Sequence, residues 1–119
     1  MDVAEKARAF HEHAGDWPSL LHPDIEVSLL ITFNRRIAGR DAVVRALTAG
    51  RAASLYTGSV TDVEMLDDST VLASGNARYA LKRGGLAHST VFWLSEFEDG
   101  LIRRSRVFRS REEALAARG

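Results

Sequence analysis

The sequence predicts an α+β fold, a strongly curved antiparallel sheet with helices on its concave face. Three observations predict it. Helical periodicity is confined to residues before 52 and to the last ten residues. Between 54 and 109 the pattern alternates with period two. The alternating runs are separated by "DD" at 67–68, "GG" at 84–85 and "DG" at 99–100, and Gly-Gly and Asp-Gly are strong hairpin turns. With 119 residues, 45% of them hydrophobic, the chain reads as one domain over residues 1–119.

The elements follow in order. Residues 2–14 repeat Val3, Ala7, Phe10 and Ala14 at helical spacing, with Gly15 as the stop. Asp16 caps a short turn, "DWPSLL", that buries Trp17 and Leu20. "HPD" at 22–24 reads as a break. "IEVSLLITF" then alternates Ile25, Val27, Leu29, Ile31 and Phe33 as a strand. After Gly39, "RDAVVRALTAG" is a short helix with Val43, Val44 and Leu47 inward and Gly50 at its end. Strands follow over 54–66, 69–82, 86–98 and 101–109. "SREEALAA" closes the chain as a helix, with Ser110 as N-cap and Glu113 completing a capping box.

Composition excludes several function classes. Five arginines (Arg103, Arg104, Arg106, Arg109 and Arg111) fall within nine positions, yet the chain holds 16 basic and 16 acidic residues. A nucleic-acid binder carries a basic excess, so no nucleic-acid partner is expected. There is no cysteine, hence no disulfide framework or thiolate metal site. No apolar run is long enough to cross a membrane, and no signal sequence opens the chain. The expectation is a cytoplasmic protein, and the excess of Arg over Lys suits a bacterial one. No metal site is expected from His11 and His13, which read as surface residues on a polar helix face.

Turn geometry sets strand register, and register sets faces. Two-residue turns at 99–100 and 84–85 put Leu81, His88, Tyr79, Thr90, Ala77, Phe92, Leu94, Ser105 and Val107 on one face, expected to be concave. Ser74, Asn76, Arg78, Trp93, Ser95, Arg104 and Arg106 then share the convex face. Arg103 pairs with Glu96, and Arg106 stacks on Trp93 as a cation–π pair.

The leading helices, "GRDAVVRAL" after the first strand, the meander, "EDGLIRRSRVF" and the ending "SREEALAA" together resemble SnoaL-like domains of the nuclear-transport-factor-2-like superfamily. The resemblance spans nearly the whole chain. It implies a cone: a bent sheet closed by N-terminal helices around an apolar pocket, with a short C-terminal helix. Relatives include polyketide cyclases, ketosteroid isomerases, limonene epoxide hydrolases and non-catalytic association domains, and many are homodimers through the convex sheet. The positions that match the isomerase and hydrolase catalytic groups are Ser28 or Leu30, Arg8, Leu94 and Val107, none of which can do that chemistry.

The expected function is binding of a small hydrophobic molecule in the cone, without a cofactor. Its lining would be Phe10, Trp17, Thr90, Phe92, Leu94, Ser105 and Val107. Any catalysis would be isomerase-, cyclase- or lyase-type proton transfer, with His88 as acid–base and Tyr79 as hydrogen-bond donor. The alternative is a non-catalytic homodimerisation or regulatory module acting through Asn76, Arg78, Trp93, Arg104 and Arg106.

Overall fold

The computed structural model describes residues 1–29, 35–52, 56–81 and 84–118; for Leu29, Arg35, Gly50, Arg51, Ala52, Tyr56 and Tyr79 it describes the backbone alone. Within them the chain forms α1 (Val3–Glu12), a 3-10 turn (Trp17–Leu20), β1 (Leu21–Leu29), β2 (Arg35–Ala38), α2 (Arg40–Ala52), β3 (Tyr56–Asp67), β4 (Thr70–Ala80), β5 (Leu86–Glu98), β6 (Leu101–Phe108) and α3 (Arg111–Ala117). The α+β expectation holds. The six strands form one sheet in the order β2-β1-β6-β5-β4-β3. β1 runs parallel to β6, and the other pairings are antiparallel.

Several boundaries differ from the sequence reading. "HPD" does not break the chain: β1 runs through it, with an irregularity in its pairing to β6 between Leu21 and Glu26. Asp16 makes no side-chain cap; its carbonyl accepts from Ser19 Oγ at 2.7 Å. α1 ends earlier, with His13 in the left-handed region (φ 51°). α2 continues past Gly50 to Ala52. β2 is a strand that its four residues gave no pattern to predict. Ile31 and Phe33 lie outside the described residues. The capping box at α3 forms, with Glu113 N–H donating to Ser110 Oγ at 3.1 Å.

The main core lies between α1, α2 and the concave face. Ala7, Phe10, Trp17, Val43 and Leu47 pack there against Ile25, Val27, Val71, Phe97 and Ile102. A second cluster of Val60, Ala73, Ala77, Val91, Trp93 and Val107 continues along the same face. Behind the sheet, α3 sets Ala114 and Leu115 on Leu72, Leu94, Phe92 and Phe108. Thus the helices do not all sit on one side.

Two details of register decide the faces. Asp99-Gly100 is the expected tight turn, with positive φ at both residues (53° and 77°) and Glu98 opposite Leu101. Beyond Phe97↔Ile102, however, a β-bulge intervenes, and Glu96 pairs with Arg104 instead of Arg103. At the other hairpin, Leu81 N–H donates to Gly85 O at 3.0 Å and pairing resumes only at Ala80↔Leu86. That loop is therefore longer than two residues, and His88 faces Arg78 across the ladder instead of Leu81. Each change moves the register by an odd step, which turns side chains to the opposite face. The two changes cancel for β4 and β6 and invert β5 alone. Val91, Trp93, Ser95 and Phe97 point into the cone, while Phe92 and Leu94 lie behind the sheet against α3.

The β3–β4 pair also carries a bulge between Val60 and Asp62. There Gly75 passes so close that a Cβ would lie 1.9 Å from Ser59 O. Gly75→Ala must push backbone against backbone, and overpacking of this kind costs about 1–3 kcal/mol or more. The expected outcome is a urea midpoint lowered accordingly with the spectrum of the folded state retained; an unchanged midpoint would refute the close approach.

Candidate functional site

α1 is held over the concave face by polar contacts on both flanks. Lys6 Nζ donates to Gly100 O at 2.7 Å. Glu12 accepts from the Val60 N–H at 3.1 Å, and Arg8 donates to the Val60 carbonyl at 3.3 Å. These contacts, with Phe10 and Ala7 in the core, hold α1 over β3 and β4 and turn one face of the helix down onto the sheet.

On that face sits His11, 6% exposed. Its ring stacks on Trp93 with centroids 4.6 Å apart and planes 17° from parallel. Nε2 lies 3.3 Å from Ser95 Oγ, and Ser95 Oγ is 3.5 Å from Ser105 Oγ. Ser95 and Ser105 face each other across β5 and β6 and are both buried. The bulge puts them there. Gly58 makes room for the indole, since a Cβ at 58 would come within 3.2 Å of Trp93 Cζ2. His13, two residues on, stacks on Trp17 in the same geometry (4.6 Å, 17°).

A recess opens beside this group. Phe10, Val27, Leu47 and Val107 form its apolar walls, and His11, His13, Ser28, Trp93 and Ser105 also reach it. Its space is about 350 Å³ with the mouth included, and a water centre fits over about 20 Å³ of it. Among the described lining residues there is no Asp, Glu, Lys or Arg.

Burial pushes the His11 imidazole down to about 3, and the neighbouring His13 adds to the effect. His11 is therefore neutral at ordinary pH. It can exchange a hydrogen bond but is poorly matched to proton transfer near neutrality.

The sequence-predicted site residues divide. Phe10, Ser105 and Val107 meet at the recess, and Trp17 is buried in the adjoining core against Phe10. His88 and Thr90 are not in the cone. Both are exposed, paired with Arg78 and Asn76, because the longer hairpin loop turns them outward. Phe92 and Leu94 are behind the sheet for the same reason. The Tyr79 side chain lies outside the described residues. Trp93 is not on the convex face; it is 4% exposed inside the cone. Arg106 consequently lies over the Phe108 ring at 5.8 Å and not over Trp93. Asn76 and Arg78 are exposed on the convex side as expected. Arg104 and Arg106 both bind Glu96, the former through two bonds of 3.0 and 3.1 Å, the latter at 2.8 Å. Arg103 pairs not with Glu96 but with Glu98 (3.6 Å), and it donates to Asp24 O at 2.6 Å.

His11 and Ser95 are the residues that sequence reasoning missed. The signal was present: on an α1 face read as 3, 7, 10 and 14, position 11 adjoins 7 and 10. Ser95 lies on the uncharged side of β5, with Val91, Trp93 and Phe97.

Burying His11 neutral has a consequence for stability. An unfolded histidine titrates near 6.5 and the folded one near 3. Between those values the unfolded chain binds the extra proton, so stability is complete above pH 6.5 and falls as pH drops toward 3. At about 1.4 kcal/mol per pH unit, going from pH 7 to 5 should cost on the order of 2 kcal/mol. His11→Phe, which keeps the ring contact, should flatten that slope in urea titrations at the two pH values; an equal slope in wild type and variant would refute the burial.

No family model and no curated protein matches the sequence. Solved structures do match. A protein of unknown function with a cystatin-like fold from Xanthomonas campestris superposes with a TM-score of 0.73 at 20% identity, covering 99% of this chain and 100% of its own. A candidate SnoaL-like polyketide cyclase from Jannaschia sp. gives 0.67 at 14% identity, covering 97% and 90%. A nuclear-transport-factor-2-like protein of unknown function from Cytophaga hutchinsonii gives 0.64 at 19% identity, covering 90% and 96%. The six-stranded curved sheet, with α1 and α2 over its concave face, is the fold of the nuclear-transport-factor-2-like superfamily, as the sequence resemblance implied.

Proposed function

We propose that the chain is a binding domain for a small, largely apolar molecule held in the recess beneath α1. The observation that carries this reading is the line His11–Ser95–Ser105, buried and uncharged, ending at an apolar recess. Specific small-molecule sites have this composition: apolar walls and a few placed polar groups. As it stands the recess is tight: a water centre fits over only about 20 Å³, well below the about 300–1,000 Å³ of such sites, so ligand entry has to open it. The likeness to a candidate polyketide cyclase agrees with a small-molecule ligand. The groups present favour holding a ligand over proton transfer. His88 faces away from the cone, and the imidazole inside it is held neutral.

Nile red, a neutral dye that brightens in apolar surroundings, tests the reading. Wild type should enhance its emission, and Val107→Trp, which fills the recess, should reduce apparent affinity by about tenfold or more. Enhancement that survives Val107→Trp would place the dye elsewhere and overturn the assignment.

A second reading is association of two copies through the part of the convex face that α3 leaves open. The observation favouring it is a run of exposed Asn76, Arg78, His88 and Thr90 beside half-buried Phe92 and Phe108. If that face is an interface, Arg78→Glu should shift sedimentation from dimer toward monomer; a wild type that sediments as a monomer at high micromolar concentration would exclude it.

A further inference from the structure

Resting on the proposed binding function, we propose that Ser105 Oγ is the group that grips the ligand, and that it selects a neutral molecule offering a carbonyl acceptor over one bearing a carboxylate. Ser95 and His11 are positioning residues for that contact.

The hydrogen-bond directions lead there. We take Ser95 Oγ to donate toward Ser105 Oγ across their 3.5 Å separation, a sense that two rotatable hydroxyls leave free and a ligand would fix. An O–H that donates to Ser105 leaves its own lone pairs for His11, so Nε2 carries the proton and donates to Ser95. The line then runs from His11 through Ser95 to Ser105 in one sense. In that sense Ser105 accepts at its inner side, and its own O–H is left for an acceptor in the recess. Of Ser95 and Ser105, Ser105 is the one that lines the recess, where Ser28 of β1 also stands but outside the His11–Ser95 line. A buried hydroxyl proton without an acceptor is costly, and a ligand carbonyl in the recess would take it.

Charge decides what kind of acceptor fits. The described lining offers Phe10, Val27, Leu47 and Val107 as walls and no Lys or Arg to meet an anion. Desolvation holds His11 in its neutral form, and the second imidazole at the recess, that of His13, sets the comparison at pH 8, where an ordinary imidazole is neutral. At that pH a carboxylate in this recess would be desolvated without a counter-charge, which costs far more than one hydrogen bond returns. A ketone, lactone or quinone carbonyl loses little on entry and gains the Ser105 proton. The recess thus reads polarity without reading charge.

Three six-membered-ring probes of similar size separate the terms: cyclohexanone, cyclohexanecarboxylate and methylcyclohexane. Binding is followed by ligand-observed NMR at pH 8, where an ordinary imidazole is neutral. Wild type should bind cyclohexanone more tightly than the carboxylate by about 100-fold or more. Ser105→Ala should weaken cyclohexanone by about 3- to 10-fold, the worth of one neutral hydrogen bond, and leave methylcyclohexane unchanged. Ser95→Ala should show the same selective loss, because it acts only through Ser105; a purely structural role would weaken both probes alike. If the carboxylate binds as well as cyclohexanone to wild type, the neutral-ligand inference is overturned while the binding function stands. If none of the three probes binds wild type, both fall together. The wild-type comparison decides the matter even if a serine variant does not fold.

Discussion

Much of this structure depends on one bulged residue, Arg103. The segment 101–108 must place Ile102 in the core and keep Arg104 and Arg106 out of it. In a regular strand all three even-numbered residues would share a face. A guanidinium in the main core would be a buried charge without a partner, and an exposed Ile102 would forfeit its burial. The bulge removes the conflict by inserting one residue opposite Glu96. Ile102 stays inward beside Phe97, and after the bulge Ser105 and Val107 turn inward as well. The displaced Arg103 is taken up by Glu98 and the Asp24 carbonyl, which ties the irregular start of β1 to the same point. Both arginines beyond it converge on Glu96. The charge ladder on the convex side and the serine pair inside the cone are thus two faces of one register shift.

The same shift explains what could and could not be read from the sequence. Element order, the capping box at Ser110 and the Asp99-Gly100 turn are local properties, set by residues a few positions apart, and all appear in the structure. Faces are not local. They accumulate every odd step between one turn and the next, and two such steps were invisible: a loop longer than its Gly-Gly suggests, and a bulge that no turn residue announces. Because the two offset each other, Ser105, Val107 and Ala77 were placed in the cone correctly while β5 was inverted. Charge held the missing information. On β5, Glu96, Glu98 and His88 all fall on the even side, and Ala87, Val91, Trp93 and Phe97 on the odd. Weighing that asymmetry against turn length would have turned Trp93 inward. His11 was misread for a related reason. Its polarity suggested a surface, yet it sits between Ala7 and Phe10 on the face that α1 buries.

That a core helix should carry histidine there is itself informative. For stability alone, an apolar residue at 11 over Ala at 95 and 105 would serve as well, since replacing both partners of a buried hydrogen bond by apolar groups is nearly neutral. The trio does not compensate by good geometry: its two contacts are long, at 3.3 and 3.5 Å. It also makes the fold sensitive to acid, through an imidazole that must stay uncharged. Packing constraints are strict around it, with Gly58 cleared for the Trp93 ring and Arg8, Lys6 and Glu12 fixing the helix above. A molecule that orders its surroundings so closely to hold three weakly bonded polar groups against an apolar recess gains nothing in folding from those groups. On the proposed binding function, the gain comes from what enters the recess.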